Sequence, residues 1–173
     1  MYHPHRLILT GLPATALIAG PAAAQTMDVQ VTVPRMTVAE YHAPYVAMWI
    51  EAEGKPARTL QIWYDFDNRE NGGKKWLADV RQWWRASGRT LTLPANGVSG
   101  ATRPPGTHKV SFPSKGGPLA GIAPGNYTLL IEAAREVGGR EVVRIPFSWP
   151  PKPGQRVTVS GKSELGAVTL SFR

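Results

Sequence analysis

The 173-residue chain contains no cysteine. Disulfides, thiolate nucleophiles and cysteine metal ligands are thereby excluded, so stability has to come from a hydrophobic core. Histidine is almost as scarce. Beyond residue 24 only His42 and His108 remain, far apart and without a ligand cluster beside either. Acidic residues are few, 12 against 20 basic, yet the basic residues form no clustered stripe of the kind nucleic-acid binding needs. Arg and Glu alternate through residues 132–141, which describes a basic but mixed soluble surface. Long apolar runs are missing as well. The single apolar stretch, residues 7–19, is too short, and too interrupted by Gly11, Pro13 and Gly20, to make a good membrane span.

That stretch reads better as the middle of a secretory leader. Residues 1–6 give a short basic start, and Pro21-Ala22-Ala23-Ala24 supplies the small residues a signal peptidase accepts. Cleavage is expected after Ala24, which places the mature protein, 25–173, in the periplasm. Loss of Arg6 with the leader lowers the formal charge from +8 to +7. A mature chain of that length suits one domain, and no shift in composition argues for two.

The body of the chain has the periodicity of strands. Residues 28–33 alternate polar and apolar with Val29, Val31 and Val33 on one face. Residues 45–51 place Val46, Met48 and Ile50 on one side and Tyr45, Ala47 and Trp49 on the other. Residues 53–56 make a turn, and 59–65 return as a hairpin partner with Leu60, Ile62 and Tyr64 inward. The period then changes: Trp76, Leu77, Val80, Trp83 and Trp84 predict an amphipathic helix over 75–86, ended by Ser87-Gly88 with glycine in the left-handed conformation. Between 94 and 124 the chain is rich in Pro and Gly, and only 107–112 reads as a strand. Strands are expected again over 126–136, 141–148, 156–160 and 167–172, with a turn at 137–140. Seven to nine short strands with turns between them predict an all-β, immunoglobulin-like β-sandwich with one short α-helical insertion.

One tetrapeptide in the Pro/Gly section carries chemistry. Ser99-Gly100-Ala101-Thr102, preceded by Asn96-Gly97-Val98, resembles the acceptor motif of bacterial FAD:protein FMN transferases. In that motif an Asp stands three residues before Ser/Thr-Gly-Ala-Thr, whereas this chain has Asn96 there. The resemblance implies that the hydroxyl of Thr102 is joined to the phosphate of FMN. Gly100 and Ala101 would leave the backbone reachable by the transferase, and Ser99 would bond locally to hold the turn. Arg103 lies beside the expected phosphodiester and would pair with its charge, while Pro104-Pro105 stiffens the exit. Phosphoryl transfer, with FAD and Mg2+, would belong to the transferase. A covalent link suits a sandwich, because it holds a flavin on a fold that has no deep pocket. Trp76, Trp83 and Trp84 are candidates for a ring that stacks on the flavin, and at least two of the three are expected to pack the core instead.

A broader resemblance runs through Tyr41-His42-Ala43-Pro44-Tyr45-Val46-Ala47-Met48-Trp49-Ile50-Glu51, Lys75-Trp76-Leu77 to Trp83-Trp84-Arg85, residues 98–106 and residues 127–144. These are similar to domain-of-unknown-function family 2271, exported bacterial proteins that resemble the immunoglobulin-like domain of flagellar hook-cap proteins. The similarity spans roughly residues 27–149. It implies flavinylated relatives encoded near flavin transferases, PepSY-type membrane proteins and iron-uptake receptors. The implied role is periplasmic electron transfer by a monomer, with a PepSY-type donor and ferric chelates as a possible destination, in a carrier rather than a stand-alone enzyme. The competing expectation is a non-catalytic binding or structural module that presents exposed aromatics such as Tyr41 and Tyr45 to a partner. Nothing else competes. The acidic run at 65–70 lacks calcium-loop spacing and reads as a solvated turn, and Ser114 sits in no nucleophile elbow.

Overall fold

The computed structural model describes residues 25–67 and 69–173, and the expected leader, 1–24, lies outside them. The described residues form an all-β sandwich with a small helical insertion. Its strands are β1 (Thr26–Val33), β2 (Tyr45–Glu51), β3 (Arg58–Trp63), β4 (Ser99–Gly100), β5 (Gly106–Pro113), β6 (Gly125–Ala134), β7 (Arg140–Trp149), β8 (Arg156–Ser160) and β9 (Ala167–Phe172). One sheet has the order β5-β1-β9-β8 and the other β4-β3-β2-β6-β7. Pairing is antiparallel throughout, except that β3 and β4 run parallel.

Two apolar layers hold these elements together. Val29, Val31, Met48, Leu129, Ile131 and Leu170 meet between the sheets. A second core forms on the outer face of the five-stranded sheet, where Ala47, Trp49, Ile62, Tyr64 and Leu130 pack against Leu77, Val80 and Trp83 of the insertion. Strand β2 and residues 129–134 of β6 are therefore buried on both faces, which is why both are apolar apart from Glu51 and Glu132. The alternation expected in β2 divides its side chains between the two cores.

Strand β3 departs from the expected alternation. Met48 pairs with Gln61 but Trp49 pairs with Thr59, so Leu60 is the extra residue of a bulge. The bulge resets the phase. Leu60 and Trp63 enter the core between the sheets, whereas Ile62 and Tyr64 face the insertion.

The helix expected over 75–86 is also corrected. Arg69–Asp79 winds as a 3-10 helix, the chain breaks at Val80, and only Arg81–Ala86 (α1) is α-helical. Leu77, Val80 and Trp83 are three residues apart, a spacing that 3-10 turns satisfy as well as α-turns do. A distant carboxylate sets where α1 begins. Glu132 of β6 is fully buried and accepts hydrogen bonds from the backbone N–H groups of Gln82 (3.1 Å) and Trp83 (2.8 Å). Arg140 supplies its counter-charge at 2.8 Å. Gly88 does not take the expected left-handed conformation but opens another 3-10 turn, Gly88–Thr90. A Cβ there would lie 2.8–2.9 Å from the Trp83 ring, so packing explains this glycine.

Candidate functional site

The Ser-Gly-Ala-Thr segment owes its place to β4, a two-residue strand too short to be read from periodicity. Ser99 pairs with Ile62 and Gly100 with Trp63. The Ile62 N–H donates to the Val98 carbonyl at 2.8 Å, and the Tyr64 N–H donates to the Gly100 carbonyl at 2.9 Å. Because the pairing is parallel, the chain leaves β4 at the end of the sheet where it leaves β3. Ala101 and Thr102 therefore emerge at the end that also carries Asp65, the start of β2 and the end of β6.

The approach to β4 is a closed turn. The N–H groups of Val98 and Ser99 donate to the Ala95 carbonyl at 3.2 and 2.9 Å, and the Ser99 hydroxyl accepts from the Ala95 N–H at 2.9 Å. Ser99 thus makes the local bond that holds the loop. Gly97 carries φ of +72°, and the neighbouring Asn96 is exposed. Gly100 sits in a tight place, since a Cβ would stand 3.0 Å from Gln61 Nε2 and 3.1 Å from Trp63 Cδ1. Past this point the loop opens: Ala101 and Arg103 are exposed and Thr102 is half-buried.

Thr102 lines a cavity of about 190 Å3. Tyr45 and Trp76 supply its aromatic surface and Ala43 and Ala134 small apolar surface; Asp65, Asp79, Glu136, Arg135 and His42 contribute its charged and titratable groups. The Tyr45 hydroxyl donates to the Gly73 carbonyl at 2.9 Å, and burial pushes its pKa up. Arg135 forms a buried pair with Glu164 at 3.1 Å, and Glu164 also accepts from the Gly139 N–H at 2.9 Å. His42 stands 3.0 Å from Glu40 and 3.8 Å from Glu136.

The three tryptophans of the insertion separate cleanly. Trp83 is fully buried, its indole N–H donating to Thr59 at 2.9 Å. Trp84 is half-buried and packs against the second core. Trp76 alone of the three lines the cavity with Thr102, and the Lys75 ammonium lies 4.6 Å from its ring centroid. Arg103 is placed differently from the expectation. Its guanidinium lies 5.4 Å from the Trp63 ring centroid and lines no part of the cavity. His108 sits apart from His42, its ring Nε2–H donating to the Pro104 carbonyl (2.7 Å) and its ring edge-on to Trp63. Among the described residues no three His, Asp or Glu side chains gather as a metal site. Sequence reasoning passed over Asp79, Arg135 and Glu136 as site residues. Asp79 ends the 3-10 stretch and Arg135-Glu136 follow β6, and no local pattern joins either to Thr102.

Two broader grooves, of about 490 and 670 Å3, lie elsewhere and meet at Gly121 and Ile122. The larger is walled by Trp149, Pro150, Pro151 and Phe172, and no residue of the tetrapeptide reaches either.

Comparison with known proteins gives one match. A family model described as a predicted periplasmic protein, DUF2271, matches residues 26–167. Neither a curated protein nor a solved structure matches the chain. The matched region takes in every strand from β1 to β8, the insertion and the Thr102 loop, and the chain therefore belongs to the DUF2271 family of predicted periplasmic proteins.

Proposed function

We propose that this protein is a periplasmic electron carrier bearing FMN as a phosphoester on Thr102. One observation carries the reading: the last residue of Ser-Gly-Ala-Thr stands half-buried on an open loop, at a cavity lined by Trp76 and Tyr45. The residues present fit such a group. The threonine hydroxyl is on a segment whose neighbours are exposed, as a modifying transferase requires. Three carboxylates in the cavity, Asp65, Asp79 and Glu136, disfavour a phosphate inside it and favour one on the rim. There the exposed Arg103 is the neighbouring cation. Its contact with Trp63 is worth about 0.5–1 kcal/mol at an exposed site, so a phosphodiester would draw it away at small cost.

When bound, the flavin supplies the redox chemistry. The protein's part is to tether, orient and partly shield it. Electrons would come from a membrane redox protein of PepSY type and pass outward, ferric chelates being one destination. The second reading, a non-catalytic binding module, draws support from the larger groove walled by Trp149, Pro150, Pro151 and Phe172. Intact-mass spectrometry with a visible spectrum separates the two. Protein from the periplasm of cells that hold the FAD:protein FMN transferase is expected to be yellow and heavier by one FMN phosphoester, and Thr102→Ala to be colourless and unmodified. A colourless wild-type protein from those cells overturns the carrier reading and leaves the binding module ahead.

A further inference from the structure

The cavity beside Thr102 has a composition that a bare attachment point does not need. We propose that it is a seat for a planar, electron-poor heteroaromatic ring, with Trp76 as the surface on which that ring stacks. The inference rests on the carrier reading only in naming the ring as isoalloxazine.

Size is the first argument. About 190 Å3 is well below the roughly 300–1,000 Å3 that encloses a drug-sized ligand, so the cavity excludes a whole dinucleotide and sets a single ring system, partly open to solvent, as its upper limit. Trp76 is the second. An indole presents an electron-rich face, and the Lys75 ammonium 4.6 Å from its centroid already exploits that charge distribution. Trp83 is fully buried and the half-buried Trp84 lies outside the cavity, so of the three only the half-buried Trp76 offers it a surface. Polar placement is the third. Asp65 and Asp79 can accept from ring N–H groups, while Arg135, pinned by Glu164, can donate to ring carbonyls. Stacking on one wall is weak binding by itself. A tether at Thr102 makes it intramolecular, at an effective concentration in the millimolar range.

The test separates ring from tether. Full-length mature protein, made in cells lacking the transferase, is titrated with lumiflavin, which has the ring but no phosphate. Binding is read from lumiflavin fluorescence quenching. Wild-type protein, unmodified at Thr102 in these cells, is expected to bind the free ring. Trp76→Ala is expected to bind roughly tenfold more weakly, as the loss of one aromatic stacking contact predicts. Trp76→Phe should recover most of the affinity, and Trp84→Ala should leave it unchanged. Absence of lumiflavin binding, or binding indifferent to Trp76→Ala, overturns the seat even if Thr102 carries FMN. Trp76-dependent lumiflavin binding by a protein that native cells never flavinylate upholds the seat and removes the covalent reading. In flavinylated protein, equal mass but brighter flavin emission in Trp76→Ala gives the same answer without added ligand.

Discussion

A Cβ on Gly73 would stand 1.7 Å from the Asp65 carbonyl oxygen, a separation no packing tolerates. The Gly73 carbonyl in turn accepts the Tyr45 hydroxyl, so this glycine ties the 3-10 stretch to two residues lining the Thr102 cavity. Gly73→Ala is expected to cost about 3 kcal/mol or more, measured by urea unfolding, because the obstruction is backbone rather than a movable side chain. Gly97 presents a milder case. At φ of +72° with open space around its Cβ, Gly97→Ala should cost about 1 kcal/mol through backbone strain alone. In the sequence the two glycines look alike. The division among Trp76, Trp83 and Trp84 was only partly legible for the same reason: spacing shows that aromatic residues share a helical face, but exposure depends on what lies opposite. Arg103 was expected at a phosphate because it is adjacent in sequence, and the free chain rests it on Trp63.

At the scale of elements, the insertion is anchored by a carboxylate that no local signal reveals. Glu132 falls in a strand whose neighbours are apolar, a position where an acid is unusual without paired donors. Its three hydrogen bonds come from α1 and β7, 49 and 8 residues away by the Trp83 and Arg140 contacts. Glu132→Ala is expected to lower stability by about 2–3 kcal/mol, as loss of charge-assisted hydrogen bonds predicts. Near-ultraviolet circular dichroism should change with it, since Trp83 loses its backbone anchor. The strands themselves were legible almost to the residue in β2, β8 and β9, where alternation is undisturbed. Strand β3 was legible in extent but not in phase, because a bulge is a property of the pair rather than of one strand. The two residues of β4 carry no period at all, yet their parallel pairing decides where Thr102 emerges.

Across the whole molecule, carboxylates stitch strand ends and turns that the cores do not reach. Asp28 on β1 accepts from Ser111 and Lys109 of β5 and from Arg173 after β9. Glu141 at the start of β7 accepts from the backbone N–H groups of Lys162, Ser163 and Leu165, fixing the turn between β8 and β9. Burial alone would raise both pKa values, but these hydrogen bonds outweigh it and hold Asp28 below its ordinary 3.8 and Glu141 below its ordinary 4.5. A carboxyl depressed in the folded state leaves the unfolded chain to take up protons first. Its contribution is therefore complete above about pH 4.5 and is lost progressively as pH falls through the folded values. Denaturant titrations at pH 7 and pH 3 are expected to show a marked loss for the wild type. Asp28→Asn and Glu141→Gln should be less stable at pH 7 yet lose less on acidification.

The sequence by itself determined the absence of thiol chemistry and the strand-rich plan, since each is written in composition or in short-range period. Periodicity of two reports which residues share a face, and that is enough to call for a sandwich. It is blind to which strands pair and in which direction. Only the tertiary structure decided that β4 lies parallel to β3, that Glu132 starts α1, and that Trp76, Tyr45, Asp79 and Arg135 share one cavity with Thr102. Those groups are brought together by contacts between elements distant in the chain, and such contacts leave no local pattern to read.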